Sequence, residues 1–482
     1  MGFRLVAIET LPNVVRSLRS VCAFILLVCL CGTALAKPFS KDVPSRISNF
    51  LEQRFADRVG GLVIGIIDES GNHVFSAGRL SKKNLRKPDA DTVFEIGSVT
   101  KTFTSLLALD MERRGELKLS DPISKYLPAG TPVPKFAGKE ITILNLAAQD
   151  SGLPFNPDNF DREDFPDSYN RYSEKLLHEF LATFKLTNAP GTRFQYSNTG
   201  MALLGHFMER ITDESFGELV RKRIAGPLKM NDTRAELTAD MSARMAQGHD
   251  KDGKPHPNLA LQIFGGAGNL KSTTKDLLEY VAAQVGLGET KFSPLMKRTH
   301  QQLHAGDPGF GNTAMPWVDQ RVYQPAGSRL IGHAGGTGGF SSFVGLDLRQ
   351  KRGIVVLSSD RSVVAAPIGW TILQDMALSE HNLRFLVREI TGVGVVLAID
   401  KETELLKITS TFKHSSAGKA GLHGGQFIRS INQIATQGRS MAECLRLFGG
   451  EEGAMIRLEI MEPGEETAKM VTVTRGKFIT SD

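Results

Sequence analysis

Cysteine, tryptophan and tyrosine are scarce, with 4, 2 and 6 occurrences in 482 residues. Cys22, Cys29 and Cys31 crowd into one apolar run near the N-terminus. Past that run only Cys444 remains, which excludes an internal disulfide scaffold. Charge of one sign is also lacking. The net charge is +6, and the densest basic cluster, KKNLRK at 82–87, is short and holds no aromatics, so it reads as a solvated loop and no nucleic-acid partner is expected. No Cys/His cluster offers a metal site. His300 and His304 have the spacing of a metal pair, but Gln301 stands where a zinc protease carries Glu and no third ligand follows, so neither metal nor cofactor is expected. The chain has no internal repeat and no low-complexity segment. Its apolar run at 21–36 is shorter than the ~20 residues of a spanning helix. Arg4, Arg16 and Arg19 precede that run and the small residues of CGTALA end it at Ala36, the pattern of a secretory signal cleaved after Ala36. Residues 1–36 are therefore read as a signal peptide, with a periplasmic or secreted destination and no membrane span after cleavage; a retained anchor is the other outcome.

What is present is an ordinary globular composition, 41% hydrophobic and 23% charged, in a chain long enough for two domains. Residues 44–57 carry apolar positions at helical spacing, and GLVIGIIDE and HVFSAGR read as a hairpin around SGN. From 120 to about 315 the chain is rich in helix and loop signals. Strand-like runs return at 318–324, 328–333, 340–347 and 353–358, followed by an apolar segment at 364–379. Strands at both ends with helices between them predict one sheet built from sequence-distant strands and an inserted helical lobe. A second unit of short strands and a helix (SMAECLRLFGG) begins near 384. The expected division is 37–383 and 384–482.

Ser98 and Lys101 are the first candidates for chemistry. The pattern Ser-x-x-Lys occurs four times, at Ser98/Lys101, Ser272/Lys275, Ser410/Lys413 and Ser416/Lys419, so spacing alone decides nothing. Ser98 opens a predicted helix. It can cap that helix, or serve as a nucleophile whose oxyanion is held by its own backbone N–H. Lys101 lies one turn on, within about 5–6 Å between Cβ atoms. To accept a proton near neutrality its pKa must fall well below about 10.4. Tyr196 and Asn198, in PGTRFQYSNTGMALLG, are spaced to face one side of an extended segment, where a phenol can relay protons and an amide can hold a carbonyl. The bland alternative is a buried tyrosine and a capping asparagine. In RLIGHAGGTGGFSSFVG a strand reaches His333 and breaks into Gly335, Gly336, Gly338 and Gly339. Glycines at a strand end let backbone N–H groups approach a ligand, so the Gly336 N–H can pair with that of Ser98 as an oxyanion hole. The acidic stretch DNFDREDFPD at 158–167 is a candidate border of the cleft.

Taken in order, Ser98-x-x-Lys101, Tyr196-x-Asn198 and His333-Ala334-Gly335 resemble the three signatures of class C β-lactamase-like and penicillin-binding serine hydrolases. The stretches LSDPISKYLP, LNLAAQDSGLP and GGAGNLKSTTKDLLEY are similar to that family too, and the likeness covers roughly 44–380. The resemblance implies an α/β fold (α+β) of the β-lactamase/transpeptidase type, with an antiparallel sheet flanked by helices and a helical lobe. It implies Ser98 as the acylated nucleophile, Lys101 as proton acceptor and Tyr196 as base or relay. Asn198, His333 and Gly335 become substrate-binding residues, and Ser272/Lys275 an ordinary helix start. His333 stands where β-lactamases of this class carry the lysine of Lys-Thr-Gly. That departure is more like D-Ala-D-Ala carboxypeptidases, D-amino-acid peptidases and the family's esterases, and it puts carboxylate recognition in doubt because a histidine's charge depends on pH.

The C-terminal unit resembles a small, β-rich PDZ domain through GVGV at 392–395, AGLHGGQFIRSINQ and the helix at 440–448. That likeness implies a carboxylate nest at Val393, Gly394 and Val395, and a groove beside Met441 and Leu445 for a protein C-terminus. Two functions follow as expectations. One is an exported hydrolase of small-molecule or peptide substrates acting through an acyl-enzyme on esters or amides. The other is a catalytically silent sensor that captures peptide C-termini.

Overall fold

The computed structural model describes residues 36–161, 167–307, 310–319, 325, 327–379, 382–383, 389–400, 403–411, 415–439, 441–465 and 467–479. The signal-like segment therefore lies outside the described residues apart from Ala36, as does most of the acidic run after Asp161. Among the described residues no helix is long and apolar enough to cross a membrane. The chain separates into two compact units with the division between Asp375 and Met376, ahead of the boundary expected at 384.

The first unit is built on a five-stranded antiparallel sheet. Its strands are β1 (Leu62–Asp68), β2 (Gly71–Ala77), β3 (Leu330–Gly336), β4 (Ser341–Asp347) and β5 (Arg352–Ser358), in the order β3-β4-β5-β1-β2. The sheet joins the two ends of the sequence, as the distant strand signals require: Leu62 of β1 pairs with Ser358 of β5. β1, β4 and β5 are buried along their whole length, so both faces of the sheet are covered. The cover comes from two helices on opposite faces. Gly65 and Gly353 lie directly beneath Thr274 and Val281 of α5 (Thr274–Val285), while Phe343, on the other face of β4, packs on Gly369 and Trp370 of α6 (Ala365–Leu373). α1 (Val43–Phe55) packs on β2. The hairpin turns at Glu69–Ser70, earlier than SGN suggested, because Asp68 accepts from the amide and hydroxyl of Ser70 and closes the turn. Of the strand expected at 318–324, Val318 forms bridges to Thr313 and Gly332, and residues 320–324 lie outside the described ones.

The helical lobe is centred on α2 (Thr100–Arg113), buried from Thr100 to Met111. A helix buried all round must satisfy its polar side chains internally. Here Thr104 donates to the Gly266 carbonyl at 2.6 Å, Ser105 to that of Ala147 at 3.1 Å, and the Asp110 carboxylate accepts from Arg113 and Arg114. Beside it run α3 (Glu174–Thr183) and α4 (Asn198–Thr212).

The second unit is β-rich. Strands β6 (Val395–Ile399), β7 (Leu406–Thr411), β8 (Phe427–Ile431), β9 (Met455–Met461) and β10 (Ala468–Thr474) form a sheet in that order, accompanied by α7 (Met441–Phe448). Leu406, Ile428, Ile456 and the buried Cys444 are part of its core.

Candidate active site

Ser98 sits in a single 3-10 turn, Gly97–Val99, that feeds directly into α2. It does not cap the helix. Its Oγ is instead 2.9 Å from Lys101 Nζ, which also donates to the Ala267 carbonyl at 2.7 Å. The Lys101 side chain is fully buried, and this desolvation holds its pKa well below the ordinary lysine value. Among the described residues no carboxylate offsets this effect. The approach depends on Gly97: its φ is +48°, and a Cβ there would lie 2.7 Å from the Gly336 nitrogen. Turn and strand β3 touch at this point.

Tyr196 closes the constellation from the other side. Its ring centroid lies 4.9 Å from Lys101 Nζ, and Ser98 is the side chain that acts to lower the pKa of its phenol. The ring stacks on Phe155 and Phe310, with centroids at 5.8 and 5.5 Å, and has His333 at 6.1 Å. Burial raises the phenol's pKa and outweighs the opposing effect of Ser98. Ser197, not Asn198, caps α4, accepting from the Gly200 amide at 2.8 Å. Asn198 is thereby the first helical residue, and it faces the cleft with its amide 3.4 Å from Asn156 Oδ1.

His333 is buried on β3. Its Nδ1 is 2.7 Å from the Ala334 carbonyl, so Nδ1 carries the proton and donates. Burial and the adjacent Lys101 push its pKa down to about 3. The ring is neutral over the physiological range, with Nε2 as an acceptor.

The β-lactamase family profile matches residues 47–374. The chain belongs to the β-lactamase family. A β-lactamase of Pseudomonas fluorescens is 28% identical over 348 residues, 66% of this chain and 92% of that protein. The D-alanyl-D-alanine-carboxypeptidase/endopeptidase AmpH of Escherichia coli (strain K12) is 29% identical over 248 residues, 50% of this chain and 61% of AmpH. Among solved structures, D-alanine carboxypeptidase AmpC from Burkholderia cenocepacia superposes with a TM-score of 0.57 at 27% identity, covering 70% of this chain and 99% of that one. The protein is a serine hydrolase of the class C β-lactamase-like kind.

In this β-lactamase-family enzyme the serine–lysine pair opens onto a cleft of about 560 Å³ lined by Ser98, Asn198, Gly336, Phe155, Tyr169 and Arg361, among others. Phe155 and Tyr169 flank the acidic stretch. Of that stretch, Asp158 and Asp161 are exposed, and residues 162–166 lie outside the described ones. Gly335 is the contact between strand and turn: a Cβ there would sit 2.2 Å from the Ile96 carbonyl oxygen. The remaining Ser-x-x-Lys pairs differ. Ser272 bonds Thr233 while Lys275 reaches Asp91, with Thr273 capping α5; Ser416–Lys419 is a short surface turn of helix; Lys413 lies outside the described residues. His300 and His304 turn to separate partners, Gln284 and Asp150.

Sequence reasoning missed Arg361, which follows β5 and lays its guanidinium over Gly336, 3.2 Å from where a Cβ would be. It also missed Lys251, whose pKa is lowered by burial and by the Arg361 charge. Neither sits in a periodic pattern or a motif. Only the fold brings residues 251 and 361 to the mouth of Ser98.

Proposed function

We propose that this enzyme is exported and cleaves an ester or amide through an acyl-enzyme on Ser98, as a D-Ala-D-Ala-type carboxypeptidase, D-aminopeptidase or esterase with at most weak β-lactamase activity. The observation that carries the reading is a buried Lys101 amine 2.9 Å from Ser98 Oγ. In its neutral form the amine accepts the proton from Oγ–H as the oxygen attacks the carbonyl. The raised pKa of Tyr196 keeps its phenol protonated, which suits a donor to the leaving group better than the first base. Lys101 passes that proton on to Tyr196; in deacylation a water gives its proton to the neutral Lys101–Tyr196 relay as it attacks the acyl carbonyl, and the relay returns the proton to Ser98 Oγ as the acid leaves. The backbone N–H groups of Ser98 and Gly336 stabilise the oxyanion, while Asn198 holds the substrate amide. Export rests on the signal-like N-terminus.

A pre-steady-state assay with a short p-nitrophenyl ester tests this reading. The protein is expected to release a burst of p-nitrophenolate equal to the enzyme concentration, and Ser98→Ala none. Equal slow release from both proteins would favour the silent binder instead.

With His333 neutral, recognition of a substrate carboxylate passes to Arg361 in this reading. Arg361→Ala is expected to raise KM for a carboxylate-bearing ester by roughly 10–100-fold, the scale of a lost charged hydrogen bond. KM for its neutral methyl ester should stay within about twofold. Equal effects on both esters would rule out that role.

For the second unit we propose PDZ-like capture of a protein C-terminus along β6. Support comes from its position as an edge strand and from the exposure of Val396 and Leu445. Val393 is buried, Gly394 has φ +79° against Ser415, and Val395 opens β6; the side chain of Met441 lies outside the described residues. Fluorescence anisotropy with peptides of random C-terminal sequence should give binding that C-terminal amidation abolishes. Binding indifferent to amidation would refute the carboxylate nest.

A further inference from the structure

Away from the cleft, α3 and α4 bring three potential ligands together. Glu174 and His178 are one turn apart on α3, and His206 projects from α4; their ligand atoms all lie within 4.8 Å of one another. His206 Nε2 is 3.3 Å and His178 Nε2 3.7 Å from the same oxygen, Glu174 Oε1. Both Nε2 atoms are buried and neither makes a hydrogen bond. Buried polar nitrogens without partners are costly, and two aimed at one carboxylate call for an explanation. A charge-assisted His–Glu hydrogen bond would close to about 2.7–2.9 Å. The edges of a tetrahedron around zinc, with metal–ligand distances of about 2.0–2.1 Å, are instead about 3.3–3.4 Å. The His206 separation of 3.3 Å matches such an edge, and the His178 separation of 3.7 Å exceeds it by a few tenths of an ångström.

We propose that Glu174, His178 and His206 bind a divalent transition-metal cation of the zinc type, with water as the fourth ligand, and that the ion clamps α3 to α4. Imidazole nitrogens with one carboxylate are a donor set such ions accept. The competitor is Arg210, whose Nη1 is 3.0 Å from Glu174 Oε1. Its side chain is 39% exposed and has room to turn to solvent when the ion binds. The sequence reading expected no metal. No short-range spacing marks this site, because His206 comes from a second helix.

The clamp would extend toward the cleft. The Leu176 carbonyl on α3 accepts from Asn159 at 2.9 Å, and Asn159 accepts from the Tyr172 hydroxyl, next to the segment that carries Phe155 and Tyr169.

The test is equilibrium dialysis of the full chain against Zn²⁺, with Co²⁺ as a spectroscopic probe. The wild type is expected to bind one ion, to show the intense visible bands of tetrahedral Co²⁺, and to melt at a higher temperature with Zn²⁺ present. His178→Gln should weaken binding by more than the roughly 10–100-fold that an outer partner is worth. Glu174→Gln, an isosteric change at a half-buried site, should do the same, while Arg210→Gln should tighten binding severalfold by freeing the carboxylate. Zn²⁺ affinity unchanged in both His178→Gln and Glu174→Gln, or Co²⁺ bound without tetrahedral bands, would overturn the site.

Discussion

Lys101→Met is expected to lower the acylation rate by on the order of 10⁴-fold, the scale seen when one member of a catalytic unit is removed, without lowering stability at neutral pH. The two effects share one cause. Burial holds the Lys101 pKa well below its ordinary value, whereas in the unfolded chain the same amine keeps its proton up to about pH 10.4. Between those two values the unfolded state binds the extra proton, so this group's contribution to stability rises with pH across the window. Below about pH 10, Lys101 therefore opposes folding, and methionine removes that penalty while keeping the packed stem. The loss of its bond to the Ala267 carbonyl costs about 1 kcal/mol in the opposite sense. Urea midpoints from pH 6 to 10 should show the variant at least as stable as wild type at the acidic end, with the difference shrinking as pH rises. A variant less stable throughout would contradict a neutral buried amine. In the wild type, the burst rate should climb with pH through the lowered Lys101 pKa and then level off. His333 contributes no inflection there, since its own pKa lies near 3.

The serine–lysine pair was legible in the sequence through the two motifs that accompany it and not through its spacing, since Ser272 and Lys275 share that spacing and turn to separate partners. The depressed pKa of Lys101 was not legible, since the burial that causes it comes from elements distant in the chain, Ala267 and Tyr196 among them. The antiparallel sheet could be anticipated from apolar runs at the two ends of the domain, because a fully buried strand needs a continuous apolar run. The hairpin turn could not, because Asp68 bonding Ser70 fixes it two residues earlier than the glycine signal. His333 illustrates the limit for a site residue. Its position at the end of a strand was readable, but its tautomer is set by a carbonyl one residue away and its neutrality first by burial and then by the adjacent Lys101. A histidine expected to vary its charge is thus held in one state. The guanidinium beside Gly336 belongs to Arg361, which no motif announced.

The second large effect is expected at Gly335, which carries no reacting side chain of its own. A Cβ added there would lie 2.2 Å from the Ile96 carbonyl oxygen, 2.3 Å from Ser342 Oγ and 3.1 Å from the Ser98 nitrogen. Ser342 already donates to that carbonyl at 2.7 Å, tying β4 to the turn that carries Ser98. Backbone and a bonded hydroxyl cannot yield as a flexible side-chain tip can, so Gly335→Ala must lift β3 from the Ser98 turn. The Ser98 and Gly336 N–H groups would then no longer converge on one oxyanion. Losing one such donor, or misplacing it by about 1 Å, costs roughly 10²–10³-fold in rate. The overpacking itself should cost about 1–3 kcal/mol of stability. Ile354→Val separates the two effects: it lies in the fully buried strand β5 and should cost about 0.5–1.5 kcal/mol by cavity formation alone. Assayed well below both melting temperatures, Ile354→Val should retain near wild-type kcat/KM while Gly335→Ala loses two to three orders of magnitude. A parallel fall in both would mean the sheet as a whole sets the rate. A loss confined to Gly335→Ala would assign that glycine's purpose to the space between one strand and one turn.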